Sequence, residues 1–393
     1  MDALLQQSSK KNNHLALLGA AHSLNHSLFV IAPPLLTLIM ASLSVSKSEI
    51  GLVSMIASLI YGVGALVGGP LGERIGEAKT ITICLAFSGV STFIMLAAGA
   101  TRTIYVYALA LVLMAAWASL YHPTANSLIS KAFKGRVSEA MGLHGVGGTI
   151  GVVLTPTIAW FIGAAFGWPL AFVSFGILCI LFALLFVRSF GEAEKRSENG
   201  GTILDALKIR ELWILLVFNV AIGLFMKGVE LFFPTYLEEN RMIDPMWASI
   251  AYTLVLAAGV PAQWVGGKAA DKVGSKKVLI ATSAGVCVSL VSLLLFPVYI
   301  VGIIFFIILY GVSFYAHQPA LNSLTGFLSP QNQRGAVYGI FFFTSFGIGS
   351  LSQFMAGYVA DVYGLDKAFY LLTAFALIAL LLSFKLPEKK ESR

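Results

Sequence analysis

Twelve long apolar blocks, separated by short polar stretches, fill almost all of this 393-residue chain. Each block holds about 20 or more residues, the length that an α-helix needs to cross a bilayer. Only 11% of the residues are charged, against roughly 25% in a typical soluble domain, so a soluble fold could not cover its surface. The sequence therefore predicts an all-α polytopic membrane protein with spans at 14–43, 48–72, 79–100, 103–131, 137–165, 168–189, 211–238, 245–268, 276–297, 299–327, 334–361 and 367–385.

Lysine and arginine lie mainly on one side of the predicted spans. The loops and ends on that side hold 21 of these residues, the opposite side holds 4, and Lys227 lies inside a span. Because cytoplasmic loops of membrane proteins are enriched in lysine and arginine, we expect both termini in the cytoplasm and a multi-pass protein of the cell inner membrane. We expect the first span to be retained, since it is much longer than the apolar region of a signal peptide.

A long polar stretch interrupts the apolar blocks near the middle of the chain. It covers residues 191–210 and contains the run Glu-Ala-Glu-Lys-Arg-Ser-Glu-Asn-Gly-Gly. Six spans precede this stretch and six follow it. The sequence therefore predicts a six-helix bundle at 1–190, a cytoplasmic linker at 191–210 and a second six-helix bundle at 211–393.

Short motifs recur in the two halves at separations of 195 to 198 residues. After the second and eighth spans the chain reads Gly-x3-acid-base-x-Gly, with a lysine just beyond. The two copies are Gly69, Glu73, Arg74, Gly76 and Lys79, and Gly267, Asp271, Lys272, Gly274 and Lys276. Further pairs are His122-Pro-Thr-Ala-Asn126 with His317-Gln-Pro-Ala-Leu-Asn322, and Gly167-Trp-Pro-Leu-Ala-Phe172 with Gly364-Leu-Asp-Lys-Ala-Phe369. Agreement of the separations indicates an internal repeat, which is one of the known plans of membrane transporters.

The loop after the second span resembles the signature of the major facilitator superfamily, with Glu73 in place of the usual aspartate and, in the second copy, Lys272 in place of the usual arginine. The resemblance covers essentially the whole chain. It implies two six-helix bundles around a central cavity, lined mainly by spans one, four, seven and ten, that work by alternating access. It also implies that the residues of the two loops act in gating and do not contact substrate.

Within the superfamily, several stretches are similar to the fosmidomycin-resistance group of efflux proteins. They are His22-Ser-Leu-Asn25-His26, Tyr121-His122-Pro123, Gly135-Arg136 and Val146-Gly147-Gly148. That group often has an acid where this chain has His26. The resemblance therefore indicates a subgroup without fixing either the coupling chemistry or the direction of transport.

Ionisable side chains inside the predicted spans are candidates for function, because charge at membrane depth is costly. These residues are His22, His26, His122, His144, His317, Lys227 and Glu230. At about 1.5 Å per residue, the five histidines fall near one level of the bilayer, and Asn25 shares the helix face of His22 and His26. We hypothesise that the histidines form part of a protonatable substrate site; the alternative is that each is a packing residue with one hydrogen bond.

Lys227 and Glu230 are three residues apart on the seventh span, so they can pair on one face of a helix. In the functional interpretation, Lys227 contacts an anion and Glu230 carries a proton when the pair opens. In the structural interpretation, the two form a fixed ion pair, or the lysine extends toward the membrane surface. The sequence leaves both open.

The leading functional hypothesis is a secondary transporter, proton-coupled, for a small organic anion or an amphiphilic drug-like compound. The alternatives are an uncoupled facilitator of a neutral solute such as a sugar, and a receptor with a transporter fold. No nucleophile motif, paired acids, metal-ligand spacing or phosphate loop is visible, and the cysteines are isolated. We expect no enzymatic activity, cofactor, metal or nucleic acid, and a monomer whose partners are substrate, protons and membrane lipid.

Overall fold

The computed structural model describes residues 2–133, 137–190, 203–296, 298–330 and 333–388. Throughout these residues the regular secondary structure is helical. The α-helices are α1 Asp2–Val30, α2 Leu36–Leu43, α3 Lys47–Ile75, α4 Glu77–Thr92, α5 Ile94–Thr101, α6 Ile104–Ala118, α7 Tyr121–Ala132, α8 Val137–Phe166, α9 Trp168–Ser189, α10 Ile203–Leu207, α11 Arg210–Arg241, α12 Pro245–Val273, α13 Ser275–Leu295, α14 Tyr299–Leu328, α15 Arg334–Phe342, α16 Leu351–Tyr363 and α17 Leu365–Ser383.

The described residues form twelve segments long and apolar enough to cross a membrane. Every end of these segments lies within five residues of the predicted end, so the predicted spans are confirmed. In the predicted linker, Ile203–Leu207 forms the short helix α10, and 191–202 lie outside the described residues. The Gly135-Arg136 stretch also lies outside the described residues, as does Pro297 between the ninth and tenth spans.

The helices group into two compact units. The first contains Met1–Ser44 and Val63–Glu198, and the second contains Val45–Gly62 and Asn199–Arg393. The helix α3 therefore contributes its first part to the second unit and its remainder to the first.

In the first unit, α1 packs along α8, and α4 packs against α6 and α9. The core between them is apolar and includes the buried side chains of Leu18, Ile81 and Phe186. Glycine lets α1 and α8 approach very closely: a Cβ atom at Gly147 would lie 2.3 Å from the carbonyl oxygen of Gly19. Small residues at such crossings are typical of membrane helices, because association there depends on close van der Waals packing.

In the second unit, α14 packs between α12 and α13, and α11 packs against α17 and the eleventh span. Here too the tightest crossings are made by glycine. A Cβ atom at Gly349 would lie 2.5 Å from the Cα atom of Gly223 on α11, and one at Gly266 would lie 2.3 Å from the carbonyl oxygen of Ala316.

Four of the described spans are interrupted, and the third has the shortest break, at Phe93 between α4 and α5. The first breaks at Pro33 and Pro34, which begin a 3₁₀ turn after α1, because proline removes a backbone donor and cannot continue the helical bonding. The fourth breaks between α6 and α7, just before Pro123. The eleventh changes to a π-helix at Phe343–Gly347, a rare widening of the helix that is frequently found at functional sites.

Four glycines with positive φ match the predicted repeat. The φ values are 94° at Gly76 and Gly274 and 93° and 89° at Gly167 and Gly364. Each glycine directly precedes a helix, α4, α13, α9 and α17 respectively. Because residues with a Cβ atom rarely adopt this conformation, the same turn at equivalent positions accounts for the glycines that the two halves share.

Candidate functional site

Four of the five predicted membrane histidines lie together in the first unit. The ring of His22 is stacked on that of His144, with centroids 4.0 Å apart and planes 4° from parallel. The centroid of His22 lies 4.6 Å from that of His26 and 5.0 Å from that of His122. His26 and His122 are also 5.0 Å apart. We call His22, His26, His122 and His144 the histidine cluster.

Hydrogen bonds hold two of these rings in defined orientations. The Nδ1 atom of His22 lies 2.8 Å from the carbonyl oxygen of His144; a carbonyl only accepts, so Nδ1 carries the proton. The hydroxyl of Tyr121 donates to the carbonyl oxygen of Leu18 at 2.7 Å and lies 3.1 Å from Nε2 of His144. Since the hydroxyl proton is already used, Nε2–H of His144 donates to Tyr121. The remaining nitrogen of His22, Nε2, is buried without a hydrogen-bond partner in the described part of the chain.

The break in the fourth span and the glycines of α8 position the cluster. Asn25, buried on α1, donates to the carbonyl oxygen of Ala118 at the end of α6. His122 then occupies the first turn of α7, beside α1. On the other side, a Cβ atom at Gly148 would lie 2.5 Å from the ring of His22. Glycine at 148 therefore makes the space that the stacked imidazole occupies.

The fifth histidine, His317, belongs to the second unit. It is buried on α14, its Nδ1 atom hydrogen bonds to the carbonyl oxygen of Phe314 in the preceding turn, and its ring lies 5.0 Å from the ring of Phe314. Within its unit, this histidine makes local contacts on its own helix.

Lys227 and Glu230 form an ion pair on α11. The Nζ atom lies 2.7 Å from a carboxylate oxygen, and the side chains are 9% and 31% exposed, respectively. The ammonium group also lies 4.1 Å from the ring centroid of Phe346, which belongs to the π-helix. A desolvated ammonium over an aromatic face is stabilised by the ring's quadrupole. The lysine is thus enclosed, whereas its carboxylate partner remains accessible.

Glu230 borders a narrow cleft between α11, α12 and α14 that is lined by aromatic side chains and encloses a cavity of about 10 Å³, roughly the room for one water molecule. The lining includes Tyr252, Tyr310, Tyr315 and Phe314. The hydroxyls of Tyr252 and Tyr310 are buried and have no hydrogen-bond partner within the described residues. Buried polar groups are normally bonded, so these hydroxyls are suited to contact a bound polar molecule. We call this the tyrosine cleft.

A buried asparagine braces α11 against the π-helix. Asn219 donates to the carbonyl oxygen of Phe341 at 2.7 Å and to the hydroxyl of Thr344 at 2.9 Å. These hydrogen bonds join α11 to the start of the segment that carries Phe346. Sequence reasoning missed Asn219 and the three tyrosines; the signal for Asn219 was an isolated amide in a predicted span, which is costly unless bonded.

The comparisons with known proteins assign the family. A sequence model described as Major Facilitator Superfamily matches residues 15–353. The chain belongs to the major facilitator superfamily. The fosmidomycin resistance protein of Escherichia coli (strain K12) is 23% identical to it over 397 residues, covering 98% of this chain and 95% of that protein. The hexuronate transporter of Bacillus subtilis (strain 168) is 23% identical over 400 residues, covering 91% and 89%.

Solved structures show the same fold. A crystal structure of the nucleoside transporter NupG has a TM-score of 0.81 at 14% identity and covers 95% of this chain and 99% of that one. The predicted family and the predicted major facilitator fold are therefore confirmed. The chain is a multi-pass membrane protein and a transporter of small molecules.

The two signature loops of the superfamily end α3 and α12. The side chains of Glu73, Arg74, Asp271 and Lys272 are exposed, and none has an ion pair or hydrogen bond within the described residues. Lys79 is exposed, and Lys276 lies 3.9 Å from Glu388. The glycines Gly69 and Gly267 make the same contact in each copy, since a Cβ atom at either would lie 3.7 Å from Cβ of Pro123 or Pro319.

A distance of 3.7 Å is ordinary van der Waals contact, so Gly69 and Gly267 do not mark the closest approach of the neighbouring helices. It is made one residue earlier, where a Cβ atom at Gly68 would lie 2.7 Å from the ring of Pro123. The acid buried near the first loop is Glu77, at the start of α4, which pairs with Lys131 and accepts from Ser127 at 2.9 Å. A carboxylate at a helix N-terminus is stabilised by the helix dipole.

Asp361 of α16 is a further carboxylate that sequence reasoning missed. It accepts hydrogen bonds from the backbone N–H groups of Lys47 and Ser48, at 3.0 and 2.7 Å, and from the hydroxyl of Ser48. The carboxylate therefore caps α3 from another span of the second unit. Beside it, Lys47 pairs with Glu239 of α11 at 2.9 Å. The signal in the sequence that could have indicated this contact is the position of Asp361, an acid at the end of a predicted span.

Proposed function

We propose that this protein is a secondary active transporter that couples a proton to the movement of a small organic anion or amphiphile by alternating access. The observation that carries the proposal is the Lys227–Glu230 pair at the tyrosine cleft. A buried cation with an accessible carboxylate partner can exchange that partner for a substrate anion. On this proposal the protein lies in the cell inner membrane with both termini cytoplasmic, as a monomer surrounded by lipid, and catalyses no reaction.

Two observations support an anionic substrate. The ammonium of Lys227 is enclosed beside Glu230, which lines the cleft, and an enclosed charge is costly unless it is paired. The names of two relatives refer to acidic compounds, since hexuronates are carboxylates and fosmidomycin is a phosphonate. The aromatic walls of the cleft would contact the apolar part of an amphiphile, and the hydroxyls of Tyr252 and Tyr310 would bond its polar part.

The coupling follows from competition for one cation. When a substrate anion binds Lys227, the carboxylate of Glu230 loses its partner. An unpaired carboxylate beside aromatic side chains is disfavoured as a charge and gains a proton. Substrate binding and protonation of Glu230 therefore occur together, which links the two fluxes.

The test is Glu230→Gln in proteoliposomes that contain a pH-sensitive dye, with glucuronate and fosmidomycin as probe anions. Glutamine keeps the shape of the side chain and a hydrogen-bonding oxygen for Lys227 but cannot carry a proton. We expect proton-linked flux to fall at least about 100-fold, while exchange of labelled anion for unlabelled anion continues.

The matched control is Glu211→Gln, which neutralises an exposed acid in the first turn of the same helix and should leave both fluxes unchanged. Gradient-driven accumulation that survives Glu230→Gln would remove the coupling role. Wild-type protein that moves neither probe but moves a neutral sugar without a pH change would favour the uncoupled facilitator. Absence of flux for every solute tested would favour a receptor.

The histidine cluster and the signature loops have their own parts in the proposal. The imidazoles and Asn25 supply hydrogen-bonding groups of the first unit to the transport pathway, and His317 contributes from α14. The exposed loop residues Glu73, Arg74, Asp271 and Lys272 form and release contacts as the transporter changes state. Asp361 adds a contact of the same kind, because its cap on α3 joins two spans that the superfamily mechanism moves.

Asp361→Ala tests this last assignment. Loss of an N-cap costs roughly 0.5–2 kcal/mol, which corresponds to about a 2- to 30-fold shift in a conformational equilibrium that includes the contact. We expect a several-fold change in transport rate. The control is Asp244→Ala, which removes the side-chain cap of α12, an acceptor for the N–H of Met246 at 2.9 Å. Equal transport rates in the two variants, despite equal loss of thermal stability, would contradict the gating role.

A further inference from the structure

Three imidazoles of the histidine cluster form a group that can hold a metal ion. One ring nitrogen from each of His22, His26 and His122 lies within 4.8 Å of the others. Two of the rings come from adjacent turns of α1 and the third from the first turn of α7. The sequence-based expectation of no metal used spacing along the chain, and that spacing could not show a ligand contributed by another span.

The hydrogen bonding of His22 matches that of a metal ligand. Histidines that bind metals nearly always donate the other ring N–H to a carbonyl or carboxylate, which fixes the tautomer and aims the free lone pair. His22 donates through Nδ1 to the carbonyl of His144. Its Nε2 atom is therefore a lone-pair donor, and it is buried without a hydrogen-bond partner within the described residues. The residue as a whole is 8% exposed.

The surrounding residues support this orientation. His144 stacks on His22 and is itself held by Tyr121, and the absence of a Cβ atom at Gly148 leaves space for the ring of His22. Three imidazoles this close cannot all be protonated without mutual repulsion. As neutral groups they offer three nitrogen donors, a ligand set suited to Zn²⁺, Cu²⁺, Ni²⁺ or Fe²⁺ and poor for Mg²⁺ or Ca²⁺.

We propose that His22, His26 and His122 bind one first-row transition-metal ion inside the first unit. Tetrahedral Zn²⁺ with Zn–N bonds of about 2.0–2.1 Å holds its nitrogens about 3.3 Å apart. The half-buried rings of His26 and His122 reach that spacing by rotating about their side-chain bonds. Three protein ligands leave a fourth position open, as in metal sites that bind an exchangeable molecule. The inference does not depend on proton coupling or on the tyrosine cleft.

The experiment uses the full-length protein in detergent, free of any histidine tag, with Co²⁺ and Zn²⁺ alone as probes. We expect one Co²⁺ per chain, a visible absorption band typical of nitrogen ligation, and displacement by Zn²⁺. Each of His22→Asn, His26→Ala and His122→Ala should weaken binding at least about tenfold, because even the loss of a group that only hydrogen bonds to a metal ligand typically costs about 10- to 100-fold in affinity.

His22→Asn is the decisive variant. The asparagine amide takes the place of Nδ1–H and can still donate to the carbonyl of His144, so the fold is retained while the ligand atom Nε2 is lost. The controls are His14→Asn, which alters a histidine that contacts Ser189 and Phe190, and His317→Asn in the second unit. Metal uptake that survives all three cluster substitutions, or that falls equally in the two controls, would overturn the proposal.

Discussion

Replacing Lys227 by methionine is expected to reduce transport of an anionic probe at least about 100-fold and to lower the melting temperature. Methionine retains the length and apolar stem of lysine but removes the charge that holds Glu230. Removing one partner of a fully buried pair costs about 3–5 kcal/mol. Because the side chain of Glu230 is 31% exposed, solvent screens the orphaned carboxylate, and we expect a smaller loss of about 1–2 kcal/mol.

The double variant Lys227→Met with Glu230→Gln separates the functional role of the pair from a structural one. With no orphaned charge, its thermal stability should return close to that of the wild type. On the proposed mechanism its transport should not return, since the proposed anion contact and the proposed proton carrier are both lost. Lys367→Met, which removes an ammonium lying over Tyr370 on α17, is the control for loss of a lysine over an aromatic ring. Recovery of transport together with stability in the double variant would identify the pair as structural.

The spans and their repeat could be predicted because both depend on properties that can be read from the local sequence, namely hydropathy and the backbone conformations that require glycine. A bilayer of fixed thickness sets the length of each apolar block, and the signature glycines Gly76 and Gly274 are required by positive φ. The break at Pro33 has an equally local cause, since proline cannot continue the helical bonding. These features depend on the local chain and its solvent, so no tertiary information was needed.

The residues that form the sites were harder to predict, because the lipid-facing and protein-facing sides of a membrane helix differ little in polarity. Lipid and protein core are both apolar, so periodicity does not reveal which side of α12 or α14 faces inward. Tyr252 and Tyr310 therefore looked like ordinary apolar residues, although both face the cleft at Glu230. The π-helix at Phe343–Gly347 was equally hidden, since no proline marks it.

The histidines could be predicted in part: their depth in the membrane followed from the sequence, but their contacts did not. Their common depth followed from counting residues along α1, α7 and α8, and the structure brings four of them together. Depth alone could not show that His22 stacks on His144 or that His317 turns to its own helix. Likewise, nothing local indicates that the first part of α3 packs in the second unit with α16, because that assignment depends on contacts more than 290 residues apart.

Leucine at position 147 is expected to disrupt the first unit. The Cβ atom alone would lie 2.3 Å from the carbonyl oxygen and 2.5 Å from the Cα atom of Gly19. Both are backbone atoms, so no side-chain rotation relieves the overlap, and α1 must move away from α8. Overpacking usually costs about 1–3 kcal/mol; with backbone on both sides we expect a cost above that range, measured as a large fall in melting temperature and in folded yield.

The matched control is Gly145→Leu. Position 145 lies two residues before position 147, on roughly the opposite side of α8, and a Cβ atom there would meet nothing within 4 Å. Both substitutions replace a helical glycine by leucine, which has the higher helix propensity, so a difference between the two variants cannot come from helix propensity. Gly145→Leu should match or exceed the wild type in stability. Gly147 is next to Gly148, which makes space for the ring of His22. The movement of α1 away from α8 in Gly147→Leu should therefore also separate His22 from His144. Equal stability of the two variants would mean that α1 and α8 do not cross at Gly19, and the geometry of the histidine cluster would then be wrong as well.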